Sequence, residues 1–241
     1  MQKLIADTHT HSIASDHAYS TILENIKAAQ EQGLSYLAMT EHGPAMPDAP
    51  HIWHIQCQWD IPSVYCGVNI LHGVEANIMD SEGGLDVGDS ILAGLEWVIA
   101  SMHGRLFPHT TREDHTKVWL KIACNPLVDV IGHCAKGDYE FDEQKVLTAF
   151  REYGKLVEVN NSCFLPGSSC IPKYMEILRL CKKLEVPVVV NTDSHFAGNI
   201  GVFTSALTAL EEIDFPESLI VNADLERFEQ VVAQKRAGLL H

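Results

Sequence analysis

Residues 3–20 read KLIADTHTHSIASDHAYS. A short apolar run ends at Asp7, and Asp7, His9, His11, Asp16 and His17 then fall within eleven positions. Such a segment is either a polar, solvated stretch or the first part of a metal site completed further along the chain. The remaining histidines discriminate between these readings. The chain holds 13 of them in 241 residues. A surface-scattered set bears no relation to secondary structure, whereas a ligand set does.

Apolar, β-branched-rich runs like the first recur at 35–40 (SYLAMT), 69–78 (NILHGVEANI), 96–102 (EWVIASM), 128–132 (VDVIG), 155–160 (KLVEVN) and 186–192 (VPVVVNT). Apolar runs rather than alternations read as strands buried on both faces. Helical patterns lie between several of them. In 21–33, Ile22, Ile26 and Ala29 share a face, Ser20 or Thr21 caps the start, Glu24 sits in the first turn and Gly33 stops the helix. Residues 142–154 repeat this grammar between Asp142 and Gly154, and 171–185 is a third case. Strands alternating with helices predict βα units and a parallel sheet.

The strand ends carry His9 with His11, then His42, Glu75, His103, His133, Asn160 with Asn161, and Asp193 with His195. The leading positions are 33, 33, 28, 30, 27 and 33 residues apart, about one βα unit each. In a parallel barrel all C-terminal strand ends meet at one mouth. Scattered positions thereby become one cluster of imidazoles and carboxylates. A lone strand-end histidine is usually an ordinary polar residue, but six of seven ends carrying His, Glu or Asp favours a metal site. His51 and His54, in the loop after the second strand, are read either as mouth residues or as surface. His72, His109, His115 and His241 lie off the register and take the ordinary reading.

Bulk composition agrees with a barrel. Hydrophobic residues make up 46% and charged residues 20%, enough for a sizeable core in one domain spanning 1–241. The net charge of −15 argues against nucleic acid and anionic membrane as partners. An anionic substrate would bind only where something local, such as a metal cluster, reverses the field. Seven cysteines, an odd number without a C-x-x-C pair, predict core thiols and a cytoplasmic setting. No secretory leader and no membrane span is expected. Residues 81–95 are expected to pack on the barrel rim. Residues 224–238 read as an amphipathic helix with Leu225, Phe228, Val231 and Val232 packed on the barrel, and a homo-oligomer is left open.

DTHTHS, followed in order by MTEHGP (39–44), HGVEANI (72–78) and NTDSHF (191–196), resembles the four motifs of the PHP (polymerase and histidinol phosphatase) superfamily. DHAYS, HGPAMPDAPHIWH and EVNNSCF are similar to its YcdX-type stand-alone phosphatases. The resemblance covers essentially the whole chain. It implies an α/β, distorted (β/α)7 barrel with a trinuclear metal cluster at the C-terminal ends of the strands. By it, His9, His11, Glu75 and Asp193 hold one ion. Glu75, His103 and His133 hold a second, with Glu75 bridging, and His17, His42 and His195 hold the third. Three divalent ions are implied, zinc first, with manganese or iron as alternatives. The implied reaction is metal-dependent hydrolysis of phosphomonoesters, with Asp193, Glu75 and His195 at the chemistry and Asp193 orienting the attacking water.

The loop GHCAK (132–136) departs from the resemblance, because related sequences often place proline after this histidine. Cys134 is weighed there as a soft contact and read as core. Arg105 is a candidate phosphate clamp, Lys136 a candidate point charge and Arg112 a weaker case, set against the ordinary reading of each as a loop charge, where arginine and lysine normally sit. Asn160 and Asn161 either bind substrate or close a turn. Asp7 either orients a ligand histidine or caps backbone groups. Rival functions are a histidinol-phosphate phosphatase or a phosphodiesterase or nuclease on the same fold, an amidohydrolase, and a non-catalytic metal-binding protein. No placed lysine suits the carbamylated bridge of an amidohydrolase, and all nine candidate ligands are histidine or carboxylate, unlike closed, cysteine-rich structural zinc sites.

Overall fold

The computed structural model describes residues 3–238. His241 lies outside the described residues. Eight strands form, each within or beside an apolar run: β1 (Ala6–Asp7), β2 (Tyr36–Met39), β3 (Val64–Tyr65), β4 (Val68–Asn77), β5 (Trp97–Ser101), β6 (Val130–Ile131), β7 (Leu156–Asn160) and β8 (Val188–Asn191). Seven are parallel, in the order β1-β2-β4-β5-β6-β7-β8. The eighth, β3, pairs antiparallel with β4. It was not foreseen, since two exposed residues give no periodic signal.

The helices are α1 (Ile22–Gln32), α2 (Ile52–Gln56), α3 (Asp89–Leu92), α4 (Arg112–Cys124), α5 (Glu143–Glu152), α6 (Ile171–Leu184), α7 (Thr204–Glu212) and α8 (Leu225–Gly238). Thr21 rather than Ser20 caps α1, in a reciprocal capping box with Glu24. Asp142 caps α5, accepting from the Lys145 amide. Helix α4 was missed because His115 and Thr116 are buried beside Val118, Trp119 and Ile122, which blurs its apolar face. In the 81–95 segment, Leu85 bridges Ile78 and α3 buries Leu92.

Strand parity divides the barrel. On one parity, Val74 and Ala76 of β4, Val98 and Ala100 of β5, Val157 and Val159 of β7, and Val188 and Val190 of β8 pack under the surrounding helices. On the other, Leu71, Trp97, Ile99, Val130, Leu156 and Val189 fill the interior with Phe228 and Val232 of α8. The helix therefore closes the N-terminal end, its Phe228 ring 5.7 Å from Trp97. Burying a side chain of this kind contributes about 1.5–3 kcal/mol. Further along the inward parity the residues turn polar, to Glu75, Ser101, Glu158, Asn160 and Asn191, all fully buried. The site stands on this layer.

Strands β1 and β8 do not pair directly, and side chains close the seam. Asn222 donates to the carbonyls of Ala6 (2.9 Å) and Val190 (2.7 Å) and accepts from the Val190 amide (3.1 Å). Above it Asn191 accepts from the amide and hydroxyl of Thr8, and Asp7 accepts from those of Thr192. At the mouth Thr10 bridges Ser194. The result is a distorted, nearly closed (β/α)7 barrel, as the resemblance implied. No helix among the described residues is long and apolar enough to cross a membrane.

Candidate metal centre

Glu75 stands at the centre of the mouth, fully buried at the end of β4. Its Oε1 accepts from Ser101 Oγ (2.7 Å), contacts His133 Nε2 at 2.9 Å and lies 3.4 Å from His103 Nε2. Its Oε2 lies 2.8 Å from His42 Nδ1, 3.4 Å from His9 Nε2 and 3.7 Å from His11 Nε2. The two oxygens thus face two different sets of imidazoles. Asp193 approaches from β8, its Oδ1 3.2 Å from His11 Nε2 and 3.4 Å from His9 Nε2. It adopts a left-handed backbone (φ 54°), which few residues other than glycine tolerate. Asp193 and His195 therefore do not repeat the extended two-apart geometry of His9 and His11. His195 instead faces His11 (ring centroids 4.3 Å) and His17 (4.2 Å).

The structure brings all nine candidate ligands to this mouth. Four triples have ligand atoms close enough to share an ion: His9, His11 and Asp193; His11, His42 and His195; His42, Glu75 and His103; and His17, His42 and Asp48. Several imidazoles are pinned at Nδ1 by an acceptor oxygen, which places the proton there and turns Nε2 inward. His9 Nδ1 donates to Glu158 Oε1 (2.6 Å), His103 Nδ1 to Asn77 Oδ1 (2.6 Å), His195 Nδ1 to the Asp193 carbonyl (3.0 Å), and His17 Nδ1 to Asp48. Asn77 is itself oriented by Asp86, which accepts from Asn77 Nδ2 at 2.6 Å.

A PHP domain model matches residues 7–162, more than half of the chain. A probable phosphatase of Acetivibrio thermocellus is 41% identical over 97% of this chain and 97% of its own. A probable phosphatase of Caldanaerobacter subterraneus subsp. tengcongensis is 42% identical over 97% and 93%. The chain belongs to the PHP domain family. A histidinol phosphate phosphatase of Lactococcus lactis, solved with zinc, L-histidinol and phosphate, shares the fold of this PHP domain at 17% identity. Its TM-score is 0.60, over 88% of this chain and 94% of that one.

The donor set of the PHP domain fits divalent cations. His9 Nε2, both ring nitrogens of His11 and of His42, Glu75 Oε2 and His195 Nε2 are buried without a hydrogen-bond partner among the described residues. Orphaned atoms are costly unless a ligand takes them. The electrostatics agree. Burial opposes charge on His9 and His42, yet carboxylates, Glu158 foremost for His9 and Glu75 for His42, raise both. Burial lowers His11, His133 and His195. Glu75 and Asp193, despite burial, are held well below the carboxylate range by the surrounding imidazoles, His9 first. Cations beside neutral imidazoles and charged carboxylates would relieve these opposed demands.

Other candidates fall elsewhere. Asp7 caps backbone and side-chain groups of Thr192 and the Gly201 amide and touches no ligand histidine; burial pushes it up to about 6. Asn160 closes its turn through Ser162 and donates to Asp193 Oδ2 (3.0 Å). Asn161 accepts from the Ala206 amide in the first turn of α7. Arg105 is exposed on the loop after β5. Arg112 is spent on the Phe141 carbonyl and Glu143. His51 caps α2 and His54 is exposed on it. His72 bonds the Ile61 carbonyl, His109 stacks on Tyr139 and His115 bonds the Glu140 carbonyl. Burial pushes the Cys134 thiol up to about 12, which suits a core residue.

The sequence reading missed Glu158, Asp48, Asn77, Ser101 and Glu41. Glu158 had a signal: a single acid inside the apolar run LVEV. It accepts from His9, the His133 amide (2.7 Å) and Asn191 (3.0 Å). Glu41 accepts from the Ser12 amide and Ser15 Oγ, fixing the loop that carries His17.

Proposed function

We propose that this PHP domain is a metal-dependent phosphatase that hydrolyses small phosphomonoesters at a trinuclear site. One observation carries the reading: Glu75 presents each carboxylate oxygen to a different set of imidazoles, the arrangement a bridging ligand requires. The names of the relatives at 41–42% identity support the reaction class. The ligand sets are those implied by the motifs: His9, His11, Glu75 and Asp193; Glu75, His103 and His133; His17, His42 and His195. Zinc is the first choice of ion, with manganese or iron as alternatives. Bound there, such ions supply Lewis acidity toward phosphoryl oxygens and make water nucleophilic near neutral pH.

The chain's own groups do the rest. Glu158, Asn77, Asp48 and the Asp193 carbonyl hold four imidazoles in one tautomer, so their Nε2 lone pairs need no reorganisation. Asp193, held by Asn160, is the residue placed to orient the attacking water. Arg105, on the exposed loop after β5, is the proposed outer phosphate contact. The acidic chain favours a small substrate over a polynucleotide. Seven free cysteines support a cytoplasmic setting, and one domain spanning 1–241 is proposed.

The test is release of the phenol leaving group from an aryl phosphate monoester and from a bis-aryl phosphodiester. Untreated protein is compared with protein stripped by chelator and reloaded with Zn²⁺ or Mn²⁺. Monoester turnover should vanish on stripping and return on reloading. Diester turnover without monoester turnover, or no turnover in any metal state, overturns the reading.

A further inference from the structure

The mouth gathers acidic groups in an already acidic chain: Glu75 and Asp193 in the cluster and Glu158 beneath it, with net charge −15 overall. Among the described residues, Lys136 is the only lysine or arginine ion-paired with any of the nine candidate ligands. Its Nζ lies 3.8 Å from Asp193 Oδ2. At that distance the ammonium makes no hydrogen bond to the carboxylate, and it makes none to any other described residue. Its three donors are therefore uncommitted. The side chain is 50% exposed while Asp193 is 7% exposed, so the ammonium stands on the solvent side of the cluster.

Local structure holds it there. Cys134 and Ala135 are buried in the core, and the Lys136 amide donates to the His133 carbonyl (2.8 Å), closing a turn directly from a candidate ligand. Gly137 follows with φ 79°, a backbone that a side chain at this position would strain. Tyr139, buried, then ties the loop to the Phe107 carbonyl through its hydroxyl (2.6 Å). The loop is anchored on both sides of the Lys136 ammonium. Asp193 is divided correspondingly: Oδ1 faces His9 and His11, while Oδ2 faces Asn160 and Lys136.

We propose that Lys136 binds the phosphoryl group from the solvent side of the cluster and selects a monoester dianion over a diester monoanion. A compact ammonium contacts any non-bridging oxygen without bidentate geometry, and its attraction grows with the charge on the phosphoryl group. A diester offers one negative charge and carries a second substituent where the ammonium approaches. The inference rests on the phosphatase reading for its substrate, but its binding test does not need turnover.

The experiment uses zinc-loaded protein with Lys136→Met and Lys136→Arg variants. Zinc content is measured by elemental analysis, binding of inorganic phosphate by calorimetry, and the monoester-to-diester ratio of kcat/KM by rate assay. Lys136→Met should keep its zinc, weaken phosphate about 10–100-fold and lower the ratio similarly, with Lys136→Arg in between. Unchanged phosphate affinity in Lys136→Met overturns the contact. Loss of zinc overturns it differently, showing that Lys136 serves to hold Asp193. If wild-type protein turns over neither ester, the phosphatase reading fails, and phosphate affinity still decides the role of Lys136.

Discussion

Glu158 on β7 and His9 beyond the end of β1 meet across the barrel, with Glu158 Oε1 accepting the Nδ1 proton at 2.6 Å, both side chains fully buried. The pair links the interior of the barrel to the ion-facing edge of an imidazole. Glu158 also accepts from the His133 amide and from Asn191, so one carboxylate positions two candidate ligands and a seam residue.

Glu158→Gln should therefore lower metal affinity about 10–100-fold while the chain still folds, because the amide retains one acceptor but loses the charge that orients His9. Competition against a chromophoric chelator reads this directly. Affinity equal to wild type would mean that His9 is held by packing alone.

Asp48 fixes His17, the most exposed of the candidate ligands, and its backbone carbonyl also accepts from the Asp16 amide at 2.9 Å. Asp48→Ala should weaken only the most loosely held ion, again by about 10–100-fold, leaving the Glu75-centred ions in place. Stepwise chelator titration distinguishes this from a general loss. Uniform weakening of all ions would contradict a local role.

Asp7 gives a pH dependence of defined sign. Burial raises its carboxyl to about 6, so the folded state binds a proton that the unfolded state has released. Stability from this group is fully present below pH 4 and falls as pH rises through 6, by about 3 kcal/mol in all. In chemical denaturation, Asp7→Asn should gain on wild type between pH 4 and 7 and run parallel above it. A constant difference across that range would place the Asp7 pKa near the ordinary aspartate value.

Phe228 tests the opposite end of the barrel. Phe228→Ala should cost about 3–5 kcal/mol of stability, through the lost contact with Trp97 and Tyr36 and the cavity left behind. Metal content should not change, since α8 seals the N-terminal end while the ligands stand at the other. A fall in metal content at unchanged stability would reverse this assignment.

The sequence by itself determined the seven parallel strands, because apolar runs such as VPVVVNT can satisfy their burial only between helices. It also marked eight of the nine candidate ligands, because polar residues repeated at βα spacing mark the strand ends that a parallel barrel brings together. His17 was named only by the resemblance to the PHP superfamily. Tertiary structure alone decided which atom of each ligand faces inward. Glu158, Asp48 and Asn77 act on imidazoles 149, 31 and 26 residues away, and no local period records such pairings. It alone decided that Asp7 and Asn161 serve the backbone, and that Lys136, indistinguishable in sequence from Arg105, reaches Asp193. Hydrophobic periodicity is a local property of the chain and can be read from it. The direction of a hydrogen bond or the reach of an ammonium depends on which distant strand stands opposite, and only the closed barrel sets that.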